Sequence, residues 1–195
     1  MNPKIKEFKE FMTEIKNQPQ SIGAVMPSGD KLADLITEQA LLESAHTVVE
    51  IGPGTGVFTK RIVKKVPKGA TYFAIELNES FVSTLHKQFP DVPVYQDSAE
   101  HIKKYLLQEG KEHCDRIISG LPWTAFKESH QAKLLDALHD ALEDGGLFLT
   151  FSYFPLNNLP NGRTFKKMLL ERFSEVKRTD VVPNVPPAFV YVCKK

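Results

Sequence analysis

Apolar residues along the chain change period repeatedly, between short unbroken runs and the three-to-four spacing of helices. Thr47-Val48-Val49-Glu50-Ile51 is an apolar run that stops at a cluster of glycines. Residues 57–66 then set Phe58, Ile62 and Val63 among basic residues, the pattern of a helix covering one face of a sheet. Residues 71–77 are a second strand, Asn78 caps a helix to Phe89, and residues 92–97 are a third strand. A helix near residues 100–107 precedes a fourth strand at 114–118. A helix over 129–142, closed by Gly145, leads to a fifth strand at 147–154. The tail offers a helix at 164–173 and strand-like runs at 175–182 and 188–193, joined by a short Pro-rich link at 184–187. Strand and helix in alternation predict an α/β fold. The closing hairpin predicts a mostly parallel seven-stranded sheet with an antiparallel C-terminal strand and helices on both faces.

Two stretches precede this alternation. In residues 4–17, Ile5, Phe8, Phe11, Met12 and Ile15 recur at helical spacing, and Lys4, Lys6, Lys9 and Lys16 lie mostly on other faces with three glutamates. Such an amphipathic helix either packs its stripe on the domain or lies in a membrane interface with its lysines toward anionic lipid. Residues 20–29 mix small and apolar residues and end in turn chemistry, and a helix at 31–42 follows. The expected division is an amphipathic helix at 1–19 and one domain at 20–195.

Composition narrows the classes. The formal charge is +1, from 25 basic and 24 acidic residues, which disfavours a protein that grips long stretches of nucleic acid. Cys114 and Cys193 sit in apolar runs far apart, which suits buried free thiols in a reducing cytosol. No apolar run is long enough to span a bilayer and the polar start does not resemble a signal peptide, so any membrane contact is expected to be peripheral. The six histidines are scattered singly, and no metal cluster is expected.

The glycine cluster carries the chemistry. Glu50-Ile51-Gly52-Pro53-Gly54-Thr55-Gly56 joins a buried strand to a helix, the geometry that cradles a nucleotide-like ligand. A dinucleotide fingerprint needs Gly or Ala at position 57, where this chain has Val57. The second strand ends in Glu76, about twenty residues beyond the glycines, where an acid can bond both ribose hydroxyls of a nucleoside. The third ends in Asp97, followed by Ser98 and Ala99. In an open α/β sheet these strand ends share one crevice, so a ligand would meet backbone N–H groups, then a ribose acid, then an acceptor for a base edge.

With those residues in place, the chain resembles the class I S-adenosylmethionine-dependent methyltransferases, with their Rossmann-like fold, at residues 48–58, 74–77, 96–99 and 117–123. Within that superfamily it is similar to the bacterial phospholipid N-methyltransferases, which methylate the amine of phosphatidylethanolamine. Residues 21–28, Ser119-Gly120-Leu121-Pro122, Phe151-Ser152-Tyr153 and Asn184-Val185-Pro186-Pro187-Ala188 carry that likeness. The rRNA adenine dimethyltransferases are a second relative, but their loop asparagine is Gly120 here and their tyrosine is Trp123.

The resemblance implies S-adenosylmethionine as methyl donor, S-adenosylhomocysteine as product and an amine-bearing phospholipid as acceptor. Glu50, Gly52, Pro53, Gly54, Thr55 and Gly56 would serve the methionyl part, Glu76 and Leu77 the ribose, and Asp97, Ser98 and Ala99 the adenine, with Ser119 nearby. Gly120, Leu121 and Pro122 would present carbonyls to the acceptor amine. Trp123 and Tyr153 would either face a cationic product or simply pack. The expected setting is cytoplasmic, at the periphery of an anionic membrane surface on the inner face of the cell membrane. An ornithine lipid, RNA or a small molecule remain alternative acceptors, and a non-catalytic nucleoside- or lipid-binding module is the rival from another class.

Overall fold

In the computed structural model, residues 29–184 and 186–195 are described. The helix expected at 4–17, the segment at 21–28 and Val185 of the tail motif lie outside them. Seven strands form one sheet in the order β3-β2-β1-β4-β5-β7-β6. They are β1 (Thr47–Ile51), β2 (Thr71–Glu76), β3 (Val94–Gln96), β4 (Cys114–Ser119), β5 (Leu142–Tyr153), β6 (Glu175–Arg178) and β7 (Ala188–Lys194). β1 to β5 are parallel, and β7 runs antiparallel to both β5 and β6. This is the sheet the residue pattern predicts.

Helices cover both faces. On one lie α1 (Asp30–Gln39), α2 (Thr59–Lys65) and α3 (Glu79–Gln88); on the other α4 (Ile102–Gln108), α5 (Glu128–Ala141) and α6 (Pro160–Arg172). β1 shows why its run is unbroken: all five residues are buried, because a central parallel strand is covered on both sides. Val48 packs with Leu32, Ile36 and Ile62, and Val49 and Ile51 with Ile102, Leu134 and Phe165. Asn78 caps α3 as expected, its side chain accepting from the Ser80 N–H at 2.9 Å.

Several boundaries differ from expectation: α1 ends at Gln39 rather than 42 and β6 at Arg178 rather than 182, and three further differences have a clear local cause. β3 is only Val94–Gln96, since Pro93 cannot donate to a ladder and Asp97 turns away. α5 is not closed by Gly145. It passes into β5 at Leu142, and Gly145 sits inside that strand at φ +80°, where the register against β4 jumps from Cys114↔Leu142 to Arg116↔Leu147. The glycine pair makes a bulge, not a cap. α6 begins at Pro160, four residues before the expected start, with proline in its favoured first turn.

The strand order reverses at β1. After β3 the chain crosses back to place β4 on the other side of β1, which leaves a crevice at the carboxyl ends of β1 and β4.

Candidate active site

The chain leaves β1 through Gly52, Pro53, Gly54, Thr55 and Gly56. Gly54 has φ +55°, and a Cβ there would meet nothing within 4 Å, so this part of the turn borders open space. Gly52 and Gly56 instead face neighbours: a Cβ would come within 2.7 Å of Leu121 Cδ2 and 2.6 Å of Phe89 Cε2. Pro53 is buried beneath the turn and Thr55 is exposed on it.

Glu76 ends β2 beside that turn. Its Oε2 accepts from the Gly54 N–H at 3.0 Å and its Oε1 from the Asn78 N–H at 2.9 Å. Burial raises its pKa, and the Asn78 and Gly54 N–H groups oppose the rise. The carboxylate therefore stitches the glycine turn to the end of β2. Each oxygen keeps a further lone pair for a hydroxyl. Leu77, next in the chain, is largely exposed at the crevice mouth.

Asp97, just past β3, is crowded with donors. Its Oδ2 accepts from the Tyr105 hydroxyl at 2.7 Å and the Lys104 ammonium at 3.2 Å; its Oδ1 meets the Ser98 N–H at 2.7 Å and the His101 Nδ1 at 2.8 Å. The Tyr105 hydroxyl above all, then His101, holds its carboxyl well below the usual carboxylate range. The Ser98 hydroxyl accepts from the Glu100 N–H, and Ala99 is buried against the core.

The loop after β4 is fixed from several sides. Gly120 N–H donates to the Ile51 carbonyl at 2.8 Å, and a Cβ on Gly120 would fall 2.4 Å from the Gly52 carbonyl oxygen. Only glycine lets the two strand ends approach so closely. Ser119 is fully buried; its hydroxyl accepts from the Leu121 N–H at 3.3 Å and the Trp123 indole N–H at 3.2 Å. The Leu121 and Pro122 carbonyls close turns with the Trp123 and Ala125 N–H groups and retain one lone pair each. Trp123 itself is core: 2% exposed and stacked on Phe165 with centroids 4.8 Å apart. Tyr153 ends β5 against Phe151, and burial pushes its phenol up to about 12.

The fold thus gathers residues 52–56, Glu76, Leu77, residues 97–99 and residues 119–122 at adjoining strand ends. It does not bring Glu50 or Trp123 to an open surface. Glu50 is fully buried on the α1 and α2 side, where its Oε2 accepts from the Thr59 hydroxyl at 2.8 Å and the Tyr72 hydroxyl at 2.5 Å. Its Oε1 has no partner, and burial pushes its carboxyl up to about 7. Sequence reasoning missed Thr59, Tyr72 and Gln131. The Gln131 amide, fully buried, donates to the Trp123 carbonyl at 2.6 Å and pins the loop from α5. Its signal was available: Gln131 stands on the same helical stripe as Leu134, Leu135 and Leu138. Among the described residues, no group of His, Cys, Asp and Glu could hold a metal ion.

Comparison with known proteins follows the same lines. A sequence family described as a methyltransferase domain matches residues 48–146, half of the chain. An ornithine lipid N-methyltransferase of Singulisphaera acidiphila is 26% identical over 193 residues, 97% of each protein. A probable ribosomal RNA small subunit methyltransferase A of Methanosarcina acetivorans is 32% identical over 95 residues, covering 49% of this chain and 33% of that protein. Among solved structures, the O-methyltransferase TomG of Streptomyces achromogenes, in complex with S-adenosylmethionine, superposes with a TM-score of 0.69 at 15% identity. That match covers 95% of this chain and 90% of TomG.

Proposed function

The chain belongs to the methyltransferase domain family as an S-adenosylmethionine-dependent methyltransferase, and we propose that its acceptor is the head-group amine of a membrane lipid, phosphatidylethanolamine or a related amine lipid. The observation that carries this reading is the alignment with an ornithine lipid N-methyltransferase over 97% of both proteins, whereas the rRNA relative matches only half of this chain. The net charge of +1 also argues against a long RNA footprint.

The crevice residues fit the donor. Gly54 borders open space, and its N–H is bonded to Glu76, which fixes that carboxylate beside the turn. Residues 52–56 would hold the methionyl part and Glu76 the ribose; Asp97 would take the adenine amine in place of one of its present donors, the exposed Lys104 ammonium making the longest of those bonds at 3.2 Å. The donor supplies an electrophilic methyl on a sulfonium. The protein supplies position, holding an amine lone pair on line with that methyl. The carbonyls of Gly120, Leu121 and Pro122 would accept the N–H groups of the neutral amine and so orient its lone pair. Gln131, Ser119 and the Gly120 bond to Ile51 hold those carbonyls still. With a phenol at about 12, Tyr153 stays protonated at neutral pH and can donate a hydrogen bond but not act as base. Methyl transfer to the neutral amine gives an alkylammonium, which loses its proton after the transfer.

Radiolabelled methyl transfer, with phosphatidylethanolamine liposomes, ornithine-lipid liposomes and total RNA offered side by side, tests the reading. Label in the lipid phase is expected; label confined to RNA would overturn it.

A further inference from the structure

Three exposed large apolar side chains stand at the crevice end of the sheet: Phe154 (42% exposed), Leu159 (55%) and Val181 (39%). Topology puts them together. β5 ends here and the antiparallel β7 begins here; the Phe154 N–H donates to the Pro187 carbonyl at 2.8 Å, and Val182 bridges to Ala188, the sheet partner of Tyr153. Leu159 is the cap residue of α6, whose Asn161 side chain donates to the Thr124 carbonyl at 3.2 Å, tying this corner to the acceptor loop.

The charge around that corner is mostly positive. From Phe154 to Leu170 the chain holds no Asp or Glu but carries Arg163, Lys166 and Lys167, all exposed. Lys167 pairs with Glu171 at 3.6 Å, while Arg163 and Lys166 enter no ion pair among the described residues. Asp180, beside Val181, is the acid on the flank. Apolar side chains rimmed by unpaired cations suit the boundary of an anionic bilayer, where the apolar groups enter the acyl region and the cations meet lipid phosphates.

We infer that Phe154, Leu159 and Val181, with Arg163 and Lys166, form a docking face that seats the crevice mouth on an anionic lipid bilayer. The inference rests on the lipid reading for its purpose: an amine head group would reach the acceptor carbonyls while its acyl chains stay in the membrane.

The full-length protein is tested by flotation with phosphatidylglycerol–phosphatidylcholine vesicles and with phosphatidylcholine vesicles alone. Each basic residue near the surface contributes roughly fivefold to partitioning, so Arg163→Glu with Lys166→Glu is expected to cut anionic binding by roughly 25-fold or more. Phe154→Ser with Leu159→Ser should weaken binding to both vesicle types. Calorimetric affinity for S-adenosylhomocysteine should stay unchanged in every variant, which separates lost docking from lost folding. Full anionic binding by both double variants overturns the docking face. Methyl transfer to a short-chain amine lipid dispersed in water is read in parallel: if the unmodified protein methylates no lipid while the variants still lose vesicle binding, the acceptor reading fails and the docking face stands.

Discussion

Glu50 offers the sharpest quantitative test of the site's construction. Its carboxyl is sealed beneath the glycine turn with one oxygen bonded to Thr59 and Tyr72 and the other without a partner, and burial pushes its pKa from 4.5 to about 7. A rise of that size corresponds to about 3 kcal/mol, an upper figure for one buried group. The sign follows from proton uptake. Between pH 4.5 and about 7 the folded protein binds the proton that the unfolded chain releases, so stability falls as pH rises through this window and stays lower above it. Glu50→Gln keeps the shape and removes the titration. Its amide leaves an unpaired N–H pair, at a constant cost of about 1 kcal/mol that does not depend on pH. Urea unfolding of both proteins from pH of about 5 to 8.5 should show the variant gaining on the parent by up to about 3 kcal/mol towards the alkaline end. Tyr72→Phe removes a donor that lowers this pKa, so its loss of stability should extend to higher pH. Parallel pH curves for the parent and Glu50→Gln would refute the argument.

Other substitutions probe the crevice directly. Glu76→Ala deletes the acceptor for the Gly54 and Asn78 N–H groups; with about 1.5–3 kcal/mol for a charged hydrogen bond, calorimetry should show S-adenosylhomocysteine binding weakened by roughly tenfold to a hundredfold. Gly120→Ala forces a methyl against the Gly52 carbonyl oxygen, a backbone atom that cannot swing aside. A loss of about 1–3 kcal/mol or more is expected in denaturant melts, with methyl transfer falling alongside. Trp123→Phe removes the indole N–H bond to Ser119 and leaves a small cavity in the core, so about 2–3 kcal/mol of stability should be lost. The acceptor KM should barely change; a rise of about an order of magnitude would mean that the ring touches the acceptor.

The parts legible in the chain were those where one residue pattern has one structural outcome. The unbroken run at Thr47–Ile51 reads as a covered central strand, and glycines at alternate positions after it read as a turn that a ligand can approach. Gly145 misled because a glycine after a helical stripe looks the same whether it ends the helix or bulges the next strand; pairing with Lys195 and β4 decides, and those partners are distant in sequence. Trp123 lies in a loop, where a large aromatic suggests a contact surface, yet α6 folds Phe165 onto its face. Glu50 was visible as an acid before the glycines, but its enclosure depends on Thr59 and Tyr72, which reach it from a helix and a neighbouring strand. Tertiary partners of this kind leave no local periodicity.

The contact between Gly120 and Gly52 couples the two halves of the crevice mechanically. The turn proposed for the donor and the loop proposed for the acceptor touch backbone to backbone, with the Gly120 N–H bonded to Ile51 and no side chain between them. Their spacing is then set by main-chain geometry at the point where the sheet reverses direction, and no rotamer change can lengthen it. A chain built this way can alter its choice of acceptor by changing residues around the loop's outer edge, while the gap across which the methyl passes stays constant.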